Sequence, residues 1–151
     1  MLPNEVLRPK GPPPGMGTVC AMHKARRDEV EAFITADGST IRELAGPAWT
    51  PARSQSLAEA IVPPGQETVA HLHPVAEELY YFVSGAGRMR LGNEEEPVRA
   101  GDCVVIPPGT PHKLWNAGPD DLVLLCCCAP PYTHEDTVLL EDASGPGRDS
   151  P

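Results

Sequence analysis

Residues 65–85 read GQETVAHLHPVAEELYYFVSG, and the histidines and glutamates inside this stretch decide how the rest of the chain is understood. In an extended strand His71 and His73 project from the same face, so both imidazoles can reach one ion. Glu77 and Glu78 follow a bend at Pro74, and either carboxylate could return to that ion from the next strand. Face alternation does not choose between them, because ELYYFV is apolar on both sides. Tyr80 and Phe82 share one face; Leu79, Tyr81 and Val83 share the other. A solvated antiparallel strand carries one polar face, so the second apolar face here predicts a cover. A second sheet, the N-terminal arm or a second subunit would supply it, and a homodimer is the expectation.

Further β signals flank this stretch at short spacing. FITADGSTIREL resembles a hairpin across Ala36, Asp37 and Gly38, and SLAEAIV, GRMRLG, DCVVIP, HKLWN and LVLLCCC follow as strands. Nineteen prolines and fourteen glycines punctuate them as PPG, SGAG, PPGTP and NAGPDD. This pattern predicts an all-β barrel or sandwich, with at most a short helix in ARRDEVEAF. Residues 1–31, dense in KGPPPGMG, are expected to form an extended arm; residues 32–128 form the barrel. Residues 129–151 are then a C-terminal extension ending in the flexible tail DASGPGRDSP.

The formal net charge is −9, and it is unevenly placed: residues 51–151 carry six basic and fifteen acidic side chains. Such a surface repels nucleic acid and anionic membrane, which removes both from the expected partners. The N-terminal stretch has no apolar signal core and no run approaches a membrane span, so a cytoplasmic location is expected. Cys20, Cys103 and the run Cys126, Cys127 and Cys128 read as buried thiols of a β core in a reducing compartment, not as a disulfide framework.

A third histidine, His112, follows the turn in PPGTPHKLWN. Three imidazoles and one carboxylate form a mixed nitrogen and oxygen set suited to a divalent transition metal and poorly suited to calcium or magnesium. The chain resembles a small single-domain cupin. The first cupin motif, G-x5-H-x-H-x3/4-E-x6-G, is matched by Gly65, His71, His73, Glu78 and Gly85. The second, G-x5-P-x-G-x2-H-x3-N, is matched by Gly101, Pro107, Gly109, His112 and Asn116. The motif spacing selects Glu78 over Glu77. The resemblance implies a jelly-roll β-barrel with one metal ion in its mouth on His71, His73, Glu78 and His112. Fe or Mn is favoured, with Zn, Ni, Co or Cu also suited. Asn116 is expected to be a structural hydrogen-bonding residue.

Alternation extends the site into a pocket for a small-molecule substrate. Val69 should share the inward face of the histidines, Tyr80 and Phe82 that of Glu78, and Leu114 that of His112. Arg53, beside Gln55, is the expected cation at the mouth; Lys113, Arg88 and Arg90 should point outward. Four protein ligands on a six-coordinate ion leave two open positions. The expected function is therefore a metal-dependent enzyme on a small oxygenated organic molecule. It is either a dioxygenase-type oxidoreductase or an enolate-type lyase, isomerase or cyclase, with Tyr80 moving protons. Some small cupins are polyketide cyclases by family resemblance. A non-catalytic binding module for a sugar or effector, and a sugar isomerase or epimerase, are the alternatives.

Overall fold

A computed structural model describes residues 21–140. Cys20, most of the proline-rich arm and the tail from 141 lie outside the described residues. Eleven strands are described: β1 (Phe33–Ile34), β2 (Thr40–Ala45), β3 (Ser56–Val62), β4 (His71–Leu72), β5 (Glu77–Ser84), β6 (Ala86–Leu91), β7 (Glu94–Arg99), β8 (Cys103–Ile106), β9 (His112–Trp115), β10 (Leu122–Ala129) and β11 (Val138–Leu139). They form a six-stranded sheet in the order β1-β2-β3-β10-β5-β8 and a five-stranded sheet in the order β11-β4-β9-β6-β7. From β3 onward the chain crosses repeatedly between the sheets, and all pairings are antiparallel. This is the expected all-β jelly-roll barrel.

Period-two alternation builds the interior. Along β5, Glu78, Tyr80 and Phe82 are buried while Glu77, Leu79, Tyr81 and Val83 face out. Phe82, Ile106, Leu122 and Leu124 are sealed in the core with Val62, Met89 and Leu114 around them; each such side chain contributes roughly 2 kcal/mol. Because Met89 faces in, Arg88 and Arg90 face out, where both guanidinium groups lie over the Trp115 ring. Gly85 turns the chain from β5 to β6 at φ 81°, and any side chain there would collide with the Asp121 carbonyl.

Three local readings change. The stretch ARRDEVEAF makes only a 3-10 turn, Arg27–Glu29, because Arg26 supplies no side-chain cap and Val30 is already extended. Within the segment expected beyond the barrel, Ala129 ends β10, and Val138 and Leu139 form β11, which pairs with β4 at Leu72 and His71. Lys113 does lie opposite His112, but it is buried. Its ammonium donates to Glu67 Oε1 at 2.9 Å and sits over Trp115. No helix of the described residues is long and apolar enough to cross a membrane.

Candidate metal centre

The two sheets bring four of the motif residues, His71, His73, Glu78 and His112, together. His71 on β4 pairs directly with His112 on β9, and His73 follows β4 by one residue. Glu78 reaches them from β5 in the opposite sheet. One ligand atom from each of the four lies within 4.8 Å of all the others, and all four residues are buried.

The tautomers follow from the backbone. His71 Nδ1 lies 2.9 Å from the Val69 carbonyl, His73 Nδ1 2.9 Å from the Asp136 carbonyl and His112 Nδ1 3.0 Å from the Thr110 carbonyl. A carbonyl only accepts, so each Nδ1 carries a proton and each neutral ring offers its Nε2 lone pair to the interior. Glu78 Oε2 stands 3.2 Å from His73 Nε2 and 3.4 Å from His112 Nε2. Yet Glu78 Oε2 and His112 Nε2 are buried without any hydrogen-bond partner. Lone pairs facing one another in a low-dielectric interior are costly unless a cation or proton lies between them. Orphaned donor atoms of this chemistry fit a divalent transition metal.

Electrostatics agree with that donor set. Burial raises the Glu78 carboxyl, but the close imidazoles of His112 and His73 outweigh it and hold it at about 2. Burial lowers His73, yet Glu78 and the Asp136 carbonyl carry it above the ordinary imidazole value. His71 is pushed down, by burial first and then by His112.

A cavity opens beside the site, with His71, His73 and Glu78 in its lining. Tyr80 and Leu114 form part of its wall, as do Asp37, Thr68, Cys126, Cys128 and Tyr132. Burial, then Glu78, pushes the Tyr80 phenol well above its usual value, so it stays protonated. Its ring centroid lies 5.7 Å from that of His112. Other expected pocket residues lie elsewhere. Val69 is exposed, since regular pairing begins only at His71 and the alternation breaks at Ala70 and His71, which are both buried. Phe82, one step further along β5 than Tyr80, is sealed in the core. Gln55 is exposed in the segment just before β3 begins at Ser56. Arg53 spends its guanidinium on the Thr50 and Ala52 carbonyls.

Several contributors went unread in the sequence. Asp37, taken as a hairpin turn residue, is buried at the cavity wall with Oδ1 accepting from Thr35 Oγ1, Ser39 N and Ser39 Oγ. Asp136 fastens the loop between His73 and Glu78 through the Val75 and Ala76 amides, at 2.9 and 2.8 Å. Cys128 donates to Glu78 Oε1 at 3.3 Å. The Asp136 and Cys128 contacts span 50 to 61 residues and so leave no local pattern in the sequence.

Asn116 acts as expected, donating to the Val62 and Asp120 carbonyls and accepting from Gly118 N. Comparison with known proteins gives the same picture. A family model for the cupin domain matches residues 58–128. The chain is 51% identical over 118 residues to the uncharacterized protein MJ1618 of Methanocaldococcus jannaschii, covering 78% of this chain and 94% of that one. It is 33% identical over 84 residues to polyketide synthase CurC of Streptomyces cyaneus, spanning only 54% of that protein. Among solved structures, Streptomyces PAC13 with uridine superposes with a TM-score of 0.66 at 21% identity, over 80% of this chain and 92% of that one. A Lactobacillus farciminis oxalate decarboxylase formate complex gives 0.65 at 24%, over 75% and 34%. At such identities these two likenesses establish the fold. Both motifs, the matching domain model and the archaeal relative, aligned along nearly its whole length, place the chain in the cupin family.

Proposed function

We propose that this cupin is a metal-dependent enzyme of the enolate-type lyase, isomerase or cyclase class, acting on a small uncharged oxygenated molecule. The observation that carries the metal is the pair of buried, unpartnered atoms Glu78 Oε2 and His112 Nε2. A divalent ion on His71, His73, Glu78 and His112, Fe or Mn by preference, supplies Lewis acidity toward a substrate oxygen. Tyr80, kept protonated, is placed to donate a hydrogen bond or proton to an oxygen on which negative charge develops. The tethered imidazoles hold the ligands rigid, and the apolar wall of Leu114, Leu124 and Val62 excludes water.

Substrate charge follows from the wall. Among the described residues lining it there is no Lys or Arg, while Asp37, Glu43 and Glu78 are present. A phosphate group would meet no clamp, which disfavours a sugar-phosphate isomerase. The partial likeness to a polyketide synthase supports a neutral polycarbonyl or phenolic compound. Dioxygenase chemistry is the second reading, favoured by the three-histidine, one-carboxylate set with room for two further ligands.

The test is a metal-reloading screen. Protein purified anaerobically is loaded with Fe(II), Mn(II) or Zn(II) and offered diketones and phenols, with oxygen uptake and product formation followed. Turnover with Zn(II) and without oxygen uptake is expected, together with a drop of about 100-fold or more in Tyr80→Phe at unchanged metal content. Oxygen consumption confined to Fe(II) favours the dioxygenase, and tight binding without turnover a binding module.

The expected homodimer belongs here too. Leu79, Tyr81, Val83 and Val105 leave an exposed apolar face on the six-stranded sheet, at 36, 46, 48 and 52% exposure. An acidic chain joins its own copy most readily through such an apolar face. Tyr81→Lys should turn a dimer into a monomer in sedimentation velocity; a wild-type monomer refutes the dimer.

A further inference from the structure

We infer that Cys128 is a positioning residue for Glu78: its thiol donates to Oε1 and so leaves Oε2 as the oxygen presented to the ion. The inference rests on the metal-binding reading and assigns a task to a cysteine that the sequence offered only as core.

The geometry is set by strand register. On β10, Cys128 stands directly opposite Glu78 of β5 on one side and Ser56 of β3 on the other. All three side chains point into the barrel and are buried. The Cys128 thiol lies 3.3 Å from Glu78 Oε1, and among the described residues no other group donates to that oxygen. The second carboxylate oxygen, Oε2, faces His73 and His112. The two oxygens are thus divided between a thiol on β10 and the imidazoles of the five-stranded sheet.

Two alternatives are weaker. As a thiolate, Cys128 would set a second buried anion 3.3 Å from the Glu78 carboxylate, and the pair would repel. As an inert apolar side chain it would leave Oε1 buried and unsatisfied, which is unfavourable in a low-dielectric interior. A neutral donor satisfies the carboxylate without competing for the ion, as the outer partners of metal ligands commonly do. Cys126, two residues earlier on the same face, is paired with Tyr80 and makes no hydrogen bond to Glu78, so the run of cysteines divides by position.

The experiment is Co(II) titration of the full chain, followed by its visible spectrum and by chelator competition, for wild type, Cys128→Ser, Cys128→Val and Cys128→Ala. Serine restores a donor and should bind within a few-fold of wild type. Valine keeps the volume without the donor, so it controls for a folding failure of alanine; both should bind about 10-fold or more weakly. No thiolate-to-cobalt charge-transfer band should appear in any of them. Wild-type affinity in Cys128→Val overturns the inference alone. So does a charge-transfer band that serine abolishes, since the thiol would then be a ligand. Failure of wild type to bind Co(II) overturns this inference and the metal reading together.

Discussion

Two regions build one site in different ways. Residues 65–116 supply the atoms that would hold an ion, through side chains whose spacing is fixed by the two motifs. Residues 128–137 supply what holds those atoms: the Cys128 thiol on Glu78, the Asp136 carbonyl on His73 and the Asp136 carboxylate on the Val75 and Ala76 amides. The first region determines which chemistry is available. The second determines how firmly it is aimed, through the Asp136 backbone carbonyl and through two side chains, Cys128 and Asp136.

The largest expected effect separates the regions most sharply. His112→Ala removes a ligand from the centre of the site and should weaken metal affinity by more than the ~100-fold that loss of an outer partner costs. Isothermal titration with Mn(II) measures it, and a loss no greater than that of an outer-partner variant would erase the distinction. Next in size is the pH response. His73 in the metal-free protein sits above its ordinary value of 6.5, and its proton must leave before Nε2 can bind an ion. Affinity should therefore fall about tenfold per unit as pH drops below that raised pKa, and level off above it. A flat profile across neutral pH would show that no ring proton competes.

The smallest effect belongs to the second region. Asp136→Ala keeps the backbone carbonyl on His73 but releases the loop amides of Val75 and Ala76. Stability should drop by about 1 kcal/mol, these bonds being partly solvent-exposed, and metal affinity by about tenfold. Urea unfolding and titration report the two separately, and an unchanged affinity would confine Asp136 to the fold.

What the sequence disclosed follows the same division. The barrel was readable because alternation and Gly/Pro turns are local signals, and the four ligand positions because two motifs specify them. Val69 misled for a physical reason: alternation is a property of paired strands, and β4 begins only at His71. Arg53 does not reach the cavity because local carbonyls take its guanidinium. Asp37 looked like an ordinary turn residue, and its burial depends on how the hairpin docks, with Val69 N donating to the Asp37 carbonyl at 2.7 Å. Strand β11 is two residues long, too short for any periodicity to reveal.

Glu77 and Glu78 offer the most direct test, being adjacent, chemically identical and on opposite faces of β5, one exposed and one buried among three imidazoles. Metal content per chain after anaerobic reloading, measured by elemental analysis on Glu77→Ala and Glu78→Ala beside wild type, decides the matter. The account predicts a full complement in wild type and Glu77→Ala and near-complete loss in Glu78→Ala. Equal content in the two variants, or none in wild type, would contradict it.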